Sequence, residues 1–169
     1  RHGLSQSQEL AKLHLFWCAI ANVKEFSSGL GQNRSLQEVF LVGTKLEDDH
    51  LATILTSLQG HCQLRRLNIE ANRGRTACLD ALGKLLADPH CRLKNLDLTH
   101  QYCSSEDTLQ LEHLVKYGGL ASSTLEQLDL TGNFLSETEL DPIWSHVAKS
   151  RVRKLNLAYN RVETIPLPT

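Results

Sequence analysis

The chain has little of several residue types, and each scarcity narrows the class of protein to which it can belong. Its 169 residues include no Met, 4 Pro and 5% aromatic residues. It also lacks a surplus of charge, because 18 Lys and Arg nearly cancel 19 Asp and Glu. A near-neutral chain has no overall field to attract nucleic acid or an anionic membrane, so the composition favours protein partners. No apolar run approaches the length of a membrane span, so none is predicted.

Motifs for catalysis and for cofactor binding are also missing. The sequence contains no glycine-rich phosphate loop, no G-x-S-x-G motif, and no His, Cys and Asp set at the spacing of a metal site or a catalytic triad. We therefore expect a non-enzymatic interaction module with no cofactor and no bound metal.

The cysteines indicate a compartment. They number five, an odd count, and show no clustered spacing typical of a disulfide framework. We therefore expect an intracellular protein, cytoplasmic or nuclear. The start at Arg1 and the absence of Met indicate a fragment, a processed chain or a chain that lacks its initiator.

An internal repeat organises the sequence. Six segments follow the pattern L-x-x-L-x-L-x-x-N/C-x-L at a mean spacing of about 28 residues. They begin at Leu10, Leu36, Leu64, Leu93, Leu125 and Val152. We expect one domain, residues 1–169, built from these six repeats.

The spacing within a repeat predicts a strand followed by a helix. Alternating apolar residues in L-x-x-L-x-L put every second side chain on one buried face of a short strand. About 15 residues remain in each repeat, enough for a helix, and several carry apolar stripes. The predicted stripes are Leu51, Ile54, Leu55 and Leu58; Leu79, Leu82, Leu85 and Leu86; Leu109, Leu111, Leu114 and Val115; and Ile143, Trp144, Val147 and Ala148.

Punctuation residues predict helix ends and turns. Asp141-Pro142 predicts a helix start, because an N-cap side chain precedes a proline. Asp88-Pro89 predicts the end of one helix and Gly118-Gly119 a break in another. The Asn or Cys near the end of each motif, including Cys18, is expected to bond backbone groups at an inward turn. The fourth repeat is overlong, with inserted residues expected among 104–107 or 117–123.

Three segments carry a resemblance to a known family. Residues 125–135 (LEQLDLTGNFL), 152–162 (VRKLNLAYNRV) and 64–72 (LRRLNIEAN) resemble leucine-rich repeats of the long, ribonuclease-inhibitor-like class, and the likeness covers about residues 10–165. Gly74 and Gln101 depart from the pattern. The resemblance implies a right-handed αβ solenoid with a parallel sheet on the concave side and helices on the convex side. It also implies that the concave face binds a protein.

The residues between the strand leucines are the candidate site. They point away from the buried face, and those after the last strand leucine extend the same surface. The selected partner-binding residues are Phe16, Trp17, Phe40, Arg66, Asp97, Asp129 and Tyr159. Phe16, Trp17 and Phe40, with Val42, form an aromatic and apolar end that could anchor a partner. The alternative is that residues 1–9, or a segment preceding them, cover this end as a cap.

Other interpretations remain open at the sequence level. Asp97 and Asp129 occupy equivalent positions, so they could serve a cation or acid-base chemistry instead of a partner. His90, Cys91, His100 and Cys103 loosely suggest zinc, without a C-x-x-C pair. Arg65, Arg66, Arg73 and Arg75 could form a basic patch for a phosphate or an acidic peptide. The whole chain could instead be an accessory subunit of an assembly, or the repeat region of a longer immune sensor or ubiquitin-ligase adaptor. A GTPase-activating role is the third alternative.

Overall fold

The computed structural model describes residues 3–101 and 108–164. Within these residues, six strands form one parallel sheet whose order, β1 to β6, follows the chain. Each strand begins two residues after the start of one repeated segment. The strands are β1 Lys12–Phe16, β2 Glu38–Val42, β3 Arg66–Asn68, β4 Asn95–Asp97, β5 Gln127–Asp129 and β6 Lys154–Asn156. The predicted α/β class with a parallel sheet is confirmed.

Neighbouring strands pair at equivalent positions of the sequence repeat. Lys12 lies opposite Glu38, Glu38 opposite Arg66 and Arg66 opposite Asn95. The same register continues to β6. A residue type at one repeat position therefore meets its own equivalents on the adjacent strands.

The described residues also form seven helices. These are α1 Gly3–Gln6, α2 Val23–Gln32, α3 Asp48–Ser57, α4 Thr76–Ala87, α5 Leu111–Val115, α6 Gly119–Ser122 and α7 Glu137–Ala148. Each of α1 to α5 contacts the next helix along the chain, and α7 contacts both α5 and α6. The helices therefore form one continuous layer beside the sheet.

The core lies between this layer and one face of the sheet. Leucines of the strands and apolar residues of the helices form a single buried cluster. The predicted stripe of α3 is buried, as is that of α4. Burying one such side chain contributes about 1.5–3 kcal/mol. The other face of the sheet carries residues that are half-buried or exposed, apart from Val42, and we call it the open face.

Buried amides join successive segments at the predicted inward turn. Asn72 Nδ2 donates to Leu41 O of the preceding segment at 2.6 Å, and its Oδ1 accepts from Leu46 N at 3.0 Å. Asn133 and Asn160 make the equivalent donation to the segment before theirs. These amides satisfy backbone groups that would otherwise be buried without partners.

Gln101 performs the same task with a longer side chain. Its Nε2 donates to Ile69 O at 2.9 Å, and its Oε1 accepts from Gly74 N at 3.1 Å. A Cβ at Gly74 would lie 2.9 Å from that Oε1 and 2.9 Å from Cys78 Sγ. The two departures from the sequence pattern therefore compensate one another.

Cys18 does not take the turn position that the pattern predicts for it. Its side chain is exposed. The amides of Asn72 and Asn133 reach back to a carbonyl of the preceding strand, whereas Cys18 follows β1, the first strand of the sheet. A side chain in that segment therefore has no such carbonyl to bond among the described residues.

The predicted start of the last helix is also wrong. Helix α7 begins at Glu137, and Pro142 lies inside it. Ser136 N donates to the Glu139 carboxylate at 2.8 Å, and the pair forms a capping box. This cap provides hydrogen-bond partners for the first turn of a helix that begins upstream of Asp141-Pro142. The predicted end at Asp88 and the break at Gly118 agree with the ends of α4 and α5.

The first described residues pack against a helix. Asn33, which follows α2, donates from Nδ2 to Leu4 O and Ser7 O, both at 2.9 Å. Helix α1 contacts α2. Residues 3–9 therefore lie by the helix layer and do not cover the exposed Phe16 and Trp17.

Candidate functional site

Side chains of the open face fall into three rows, because every second residue of a strand points to the same side. The amino row holds Lys12, Glu38, Arg66, Asn95, Gln127 and Lys154. The central row holds His14, Phe40, Asn68, Asp97, Asp129 and Asn156. The carboxyl row continues the alternation with Phe16, Val42, Glu70, Thr99, Thr131 and Ala158. Five of the seven selected residues lie in these rows.

Three rings on β1 and β2 form what we call the aromatic strip: Phe16, His14 and Phe40. His14 stacks on Phe40 with ring centroids 4.3 Å apart and planes at 7°. Phe16 meets His14 edge to face at 6.1 Å. Phe16 remains 53% exposed, so the strip presents apolar surface to solvent.

An ion cluster borders the aromatic strip. The Glu38 carboxylate lies 3.2 Å from Lys12 Nζ, 3.3 Å from Arg66 Nη1 and 3.3 Å from His14 Nε2. Desolvation raises the pKa of Glu38, but the neighbouring Lys12 and Arg66 outweigh it, so the pKa is lowered overall. Arg66 is thus held by Glu38 while its side chain stays 56% exposed.

Asp97 and Asp129 lie opposite one another on β4 and β5. Asp97 accepts from Asn68 Nδ2 at 3.1 Å, and Asp129 accepts from Asn156 Nδ2 at 2.9 Å. Desolvation raises the pKa of Asp129, yet hydrogen bonds from Thr131 and Asn156 outweigh it and lower the pKa overall. Asp129 is therefore ionised at neutral pH.

The turns after the strands share an unusual backbone conformation. The second residue after the last strand leucine has a φ between 49° and 67° in all six segments. These residues are Trp17, Gly43, Ala71, His100, Gly132 and Tyr159. A Cβ at Gly43 would meet the Trp17 ring at 2.3 Å, and one at Gly132 would meet the His100 ring at 2.1 Å. The rings of Trp17 and His100 therefore lie over the glycine at the same position of the next segment.

Val42 departs from its expected exposure. It is 6% exposed, because Phe16 is its partner across the strands and the Trp17 ring covers the adjacent Gly43. Trp17 itself is 68% exposed at the carboxyl edge of the sheet. Tyr159 is 84% exposed but follows β6, about five strand spacings or ~24 Å away. The structure therefore does not join Tyr159 to the aromatic strip.

Two grooves accompany these residues. The first, of about 370 Å³, crosses the open face from Phe40 to Asn156 and includes Arg66, Asp97 and Asp129 in its lining. The second, of about 1020 Å³, lies at the carboxyl edge. It is lined in part by Trp17, Glu47, Asp48, Arg73 and Arg75. Four of the seven predicted residues thus line the first groove and Trp17 lines the second, whereas Phe16 and Tyr159 line neither.

The structure divides the arginines of the alternative basic patch between different surfaces, although Arg73 and Arg75 line the same groove. Arg65 bonds carbonyls of the turn before β3, and Arg66 pairs with Glu38 on the open face. Arg73 pairs with Glu47 at 2.7 Å at the carboxyl edge. Strand alternation and the turn after β3 therefore separate Arg65 and Arg66 from Arg73 despite their closeness in sequence.

The residues of the zinc alternative that the structure describes have other environments. Cys91 is buried, with its pKa raised by burial, while His90 contacts Asp88 and His100 covers Gly132. Cys103 lies outside the described residues. Across residues 3–101 and 108–164, no group of three His, Cys, Asp or Glu side chains is placed to hold a metal ion.

Some site features escape sequence reasoning. Strand alternation puts His14 and Glu38 on the open face, but the stacking and the ion cluster depend on side-chain conformations. The Asn68 and Asn156 amides that hold the two aspartates are likewise visible only as geometry. The repeated Asn at flanking positions of Asp97 and Asp129 was the available signal.

Comparison with known proteins leaves the site to be interpreted from its geometry. No protein-family model matches the chain, and no curated protein matches its sequence. Among the described residues, the helices are all too short or too polar to cross a membrane.

Proposed function

We propose that the chain is a right-handed leucine-rich repeat solenoid of the ribonuclease-inhibitor-like class, and that it binds a protein partner through its open face. The partner-binding residues in this proposal are Phe16, Trp17, Phe40, Arg66, Asp97, Asp129 and Tyr159. One observation carries the proposal: among the described residues, the open face of the parallel sheet has exposed aromatic side chains at one end.

The solenoid part of the proposal is supported by three regularities. The strands follow chain order, pair at equivalent repeat positions, and have their helices packed in one layer. In the third to sixth segments, a side-chain amide at the same repeat position links the turn to the segment before it. A stack of repeats that bury their faces against neighbours would have these features.

The binding part is supported by the chemistry of the open face. Exposed aromatic groups beside a polar surface are common anchors of protein interfaces. The near-neutral charge gives no general attraction to nucleic acid or anionic membranes. The proposal includes a non-enzymatic role without a cofactor, in an intracellular compartment, cytoplasmic or nuclear.

Affinity capture with paired variants tests this function. The immobilised chain is compared with a variant carrying Trp17→Ala and Phe40→Ala, and circular dichroism with thermal unfolding verifies that both are folded. The matched control carries Tyr117→Ala and Phe134→Ala, two exposed aromatic residues outside the open-face rows. We expect the amount of each protein that the wild type captures to be about tenfold or more lower with the test variant. An aromatic side chain that becomes buried in an interface contributes about 2 kcal/mol or more to binding.

The control should capture the same proteins as the wild type. An identical set of captured proteins from wild type and the folded Trp17 and Phe40 variant would contradict binding through this face.

A further inference from the structure

Charges on the open face are segregated by row. The cations Lys12, Arg66 and Lys154 all lie in the amino row. The central and carboxyl rows of β3 to β5 instead carry Glu70, Asp97 and Asp129. We call these three carboxylates the acidic centre. Because no Lys or Arg occupies those two rows, the middle of the face has a local negative charge.

This charge is held in place without being neutralised. Asp97 accepts from Thr99 N at 2.9 Å and Asp129 from Thr131 N at 3.0 Å, in addition to the neutral amides of Asn68 and Asn156. Among residues 3–101 and 108–164, neither aspartate has an ion-pair partner, whereas Glu38 has three cationic or titratable neighbours. Neutral donors orient a carboxylate, but they carry no charge that would neutralise it, so its charge stays available to a ligand.

The acidic centre adjoins the aromatic strip. Phe40 lies opposite Asn68, which lies opposite Asp97. Phe40 and Asp97 are therefore two strands apart, or ~10 Å. Both line the same groove across the open face.

From this arrangement we infer that the occupant of the open face is a protein segment with an apolar side chain followed at ~10 Å by Lys or Arg. The apolar group packs on the aromatic strip, and the cation lies by Asp97 and Asp129. An extended segment spans that distance in about three residues, and a helix spans it in about seven. This inference rests on the proposed function and specifies the partner's chemistry.

A peptide library provides the test. Random peptides of about 16 residues, long enough to cross the sheet even as a helix, are displayed on phage and selected on the full chain. Peptides that bind the wild-type chain but do not bind the Phe40→Ala variant are kept for analysis. We expect them to be enriched in Lys and Arg about three or seven positions from an apolar residue.

Isosteric variants then test the contribution of the charges. The test variant carries Asp97→Asn and Asp129→Asn, which removes two charges while keeping one acceptor oxygen on each side chain. The control carries Glu112→Gln and Asp141→Asn, the same change in net charge on exposed helix residues. We expect the selected peptides to bind the test variant about three- to tenfold more weakly, and the control as the wild type.

Salt gives an independent measurement on the unmodified chain. Binding of the selected peptides should weaken between about 0.02 M and about 0.15 M salt, since exposed charge pairs are screened. Peptides that need Phe40 but show no basic enrichment, or that bind the Asp97 and Asp129 variant normally, would overturn this inference and leave the proposed function standing. It would equally be overturned if light scattering showed that a second copy of the chain occupies the face and that Phe40→Ala abolishes the association. Failure of the proposed function itself would be recognised separately, in the affinity capture.

Discussion

Gln101 has one methylene group more than Asn72, which holds the equivalent position of the preceding segment. Gly74 leaves room for that group because it has no side chain. Gln101 is 2% exposed and bonds both Ile69 O and Gly74 N. Asn72 satisfies the equivalent groups of its preceding segment, Leu41 O and Leu46 N. The sequence marks residues 74 and 101 as separate irregularities, and their mutual dependence follows only from the geometry.

Removing the Gln101 amide tests this arrangement. We expect Gln101→Ala to lower the free energy of unfolding by about 1–3 kcal/mol, because Gly74 N then loses its buried acceptor. Urea denaturation measures the change, and Gln59→Ala, the same substitution at an exposed position, should have little effect. Equal stability of the two variants would show that Gln101 does not bear on folding.

His61 is a buried titratable group outside the candidate site. It is 3% exposed, and its Nε2 lies 3.0 Å from Leu30 O. Its Nδ1 has no hydrogen-bond partner among the described residues. Desolvation lowers the pKa of His61, with a smaller contribution from Arg34, so the neutral ring is favoured in the folded chain.

This depressed pKa predicts a loss of stability in mild acid. The unfolded chain binds the His61 proton near pH 6.5, whereas the folded chain resists it. Stability due to His61 is therefore complete above that pH and falls as pH decreases toward the folded pKa. Urea denaturation of wild type and His61→Gln between about pH 7.5 and about pH 5.5 should show a smaller decrease in the variant. Parallel pH profiles would refute the prediction.

Among the helices, α4 receives its N-terminal cap from the helix before it. Asp48 of α3 accepts from Arg75 N at 2.7 Å, Cys78 N at 2.8 Å and Ala77 N at 2.9 Å. The Arg75 side chain itself makes no capping hydrogen bond to α4. A carboxylate of one segment thus satisfies the first turn of the next helix.

Removal of this carboxylate should be costly for α4. We expect Asp48→Ala to reduce the free energy of unfolding by about 1–2 kcal/mol, the usual cost of a lost cap. Amide hydrogen exchange at Ala77 and Cys78 should become faster than in the wild type. Asp49→Ala removes an exposed acid from the same turn of α3, and it should leave those two amides protected. If both variants exchange alike, Asp48 is not the cap.

The helices differ in how far the sequence predicts them. The stripes of α3 and α4 have regular apolar spacing, and their residues are buried as expected. Helix α7 begins four residues before Asp141, because a capping box at Ser136 acts ahead of the proline signal. The predicted stripe of this helix is only partly buried: Ile143 is buried, whereas Trp144 is partly buried. Local signals thus predict the presence of a helix better than its first residue.

Across the whole molecule, the period-two leucines account for the sheet. They place β1 to β6 and assign Arg66, Asp97 and Asp129 to the face opposite the core. Exposure within that face depends on contacts between segments, and Val42 is buried because neighbours from β1 cover it. The function of the site stays a prediction, since the partner's surface leaves no trace in this chain's repeat pattern.

Gly74 and Gln101 also constrain how the chain can change by gain or loss of whole segments. The strands pair at equivalent repeat positions, so removal of one whole segment by recombination would keep the pairing register of the strands on either side. Removing the third segment alone would instead bring Gln101 onto Leu46, a position that has a side chain where Gly74 has none. Loss of the third segment alone would therefore place Gln101 against a side chain, whereas loss of the third and fourth segments together would avoid that conflict.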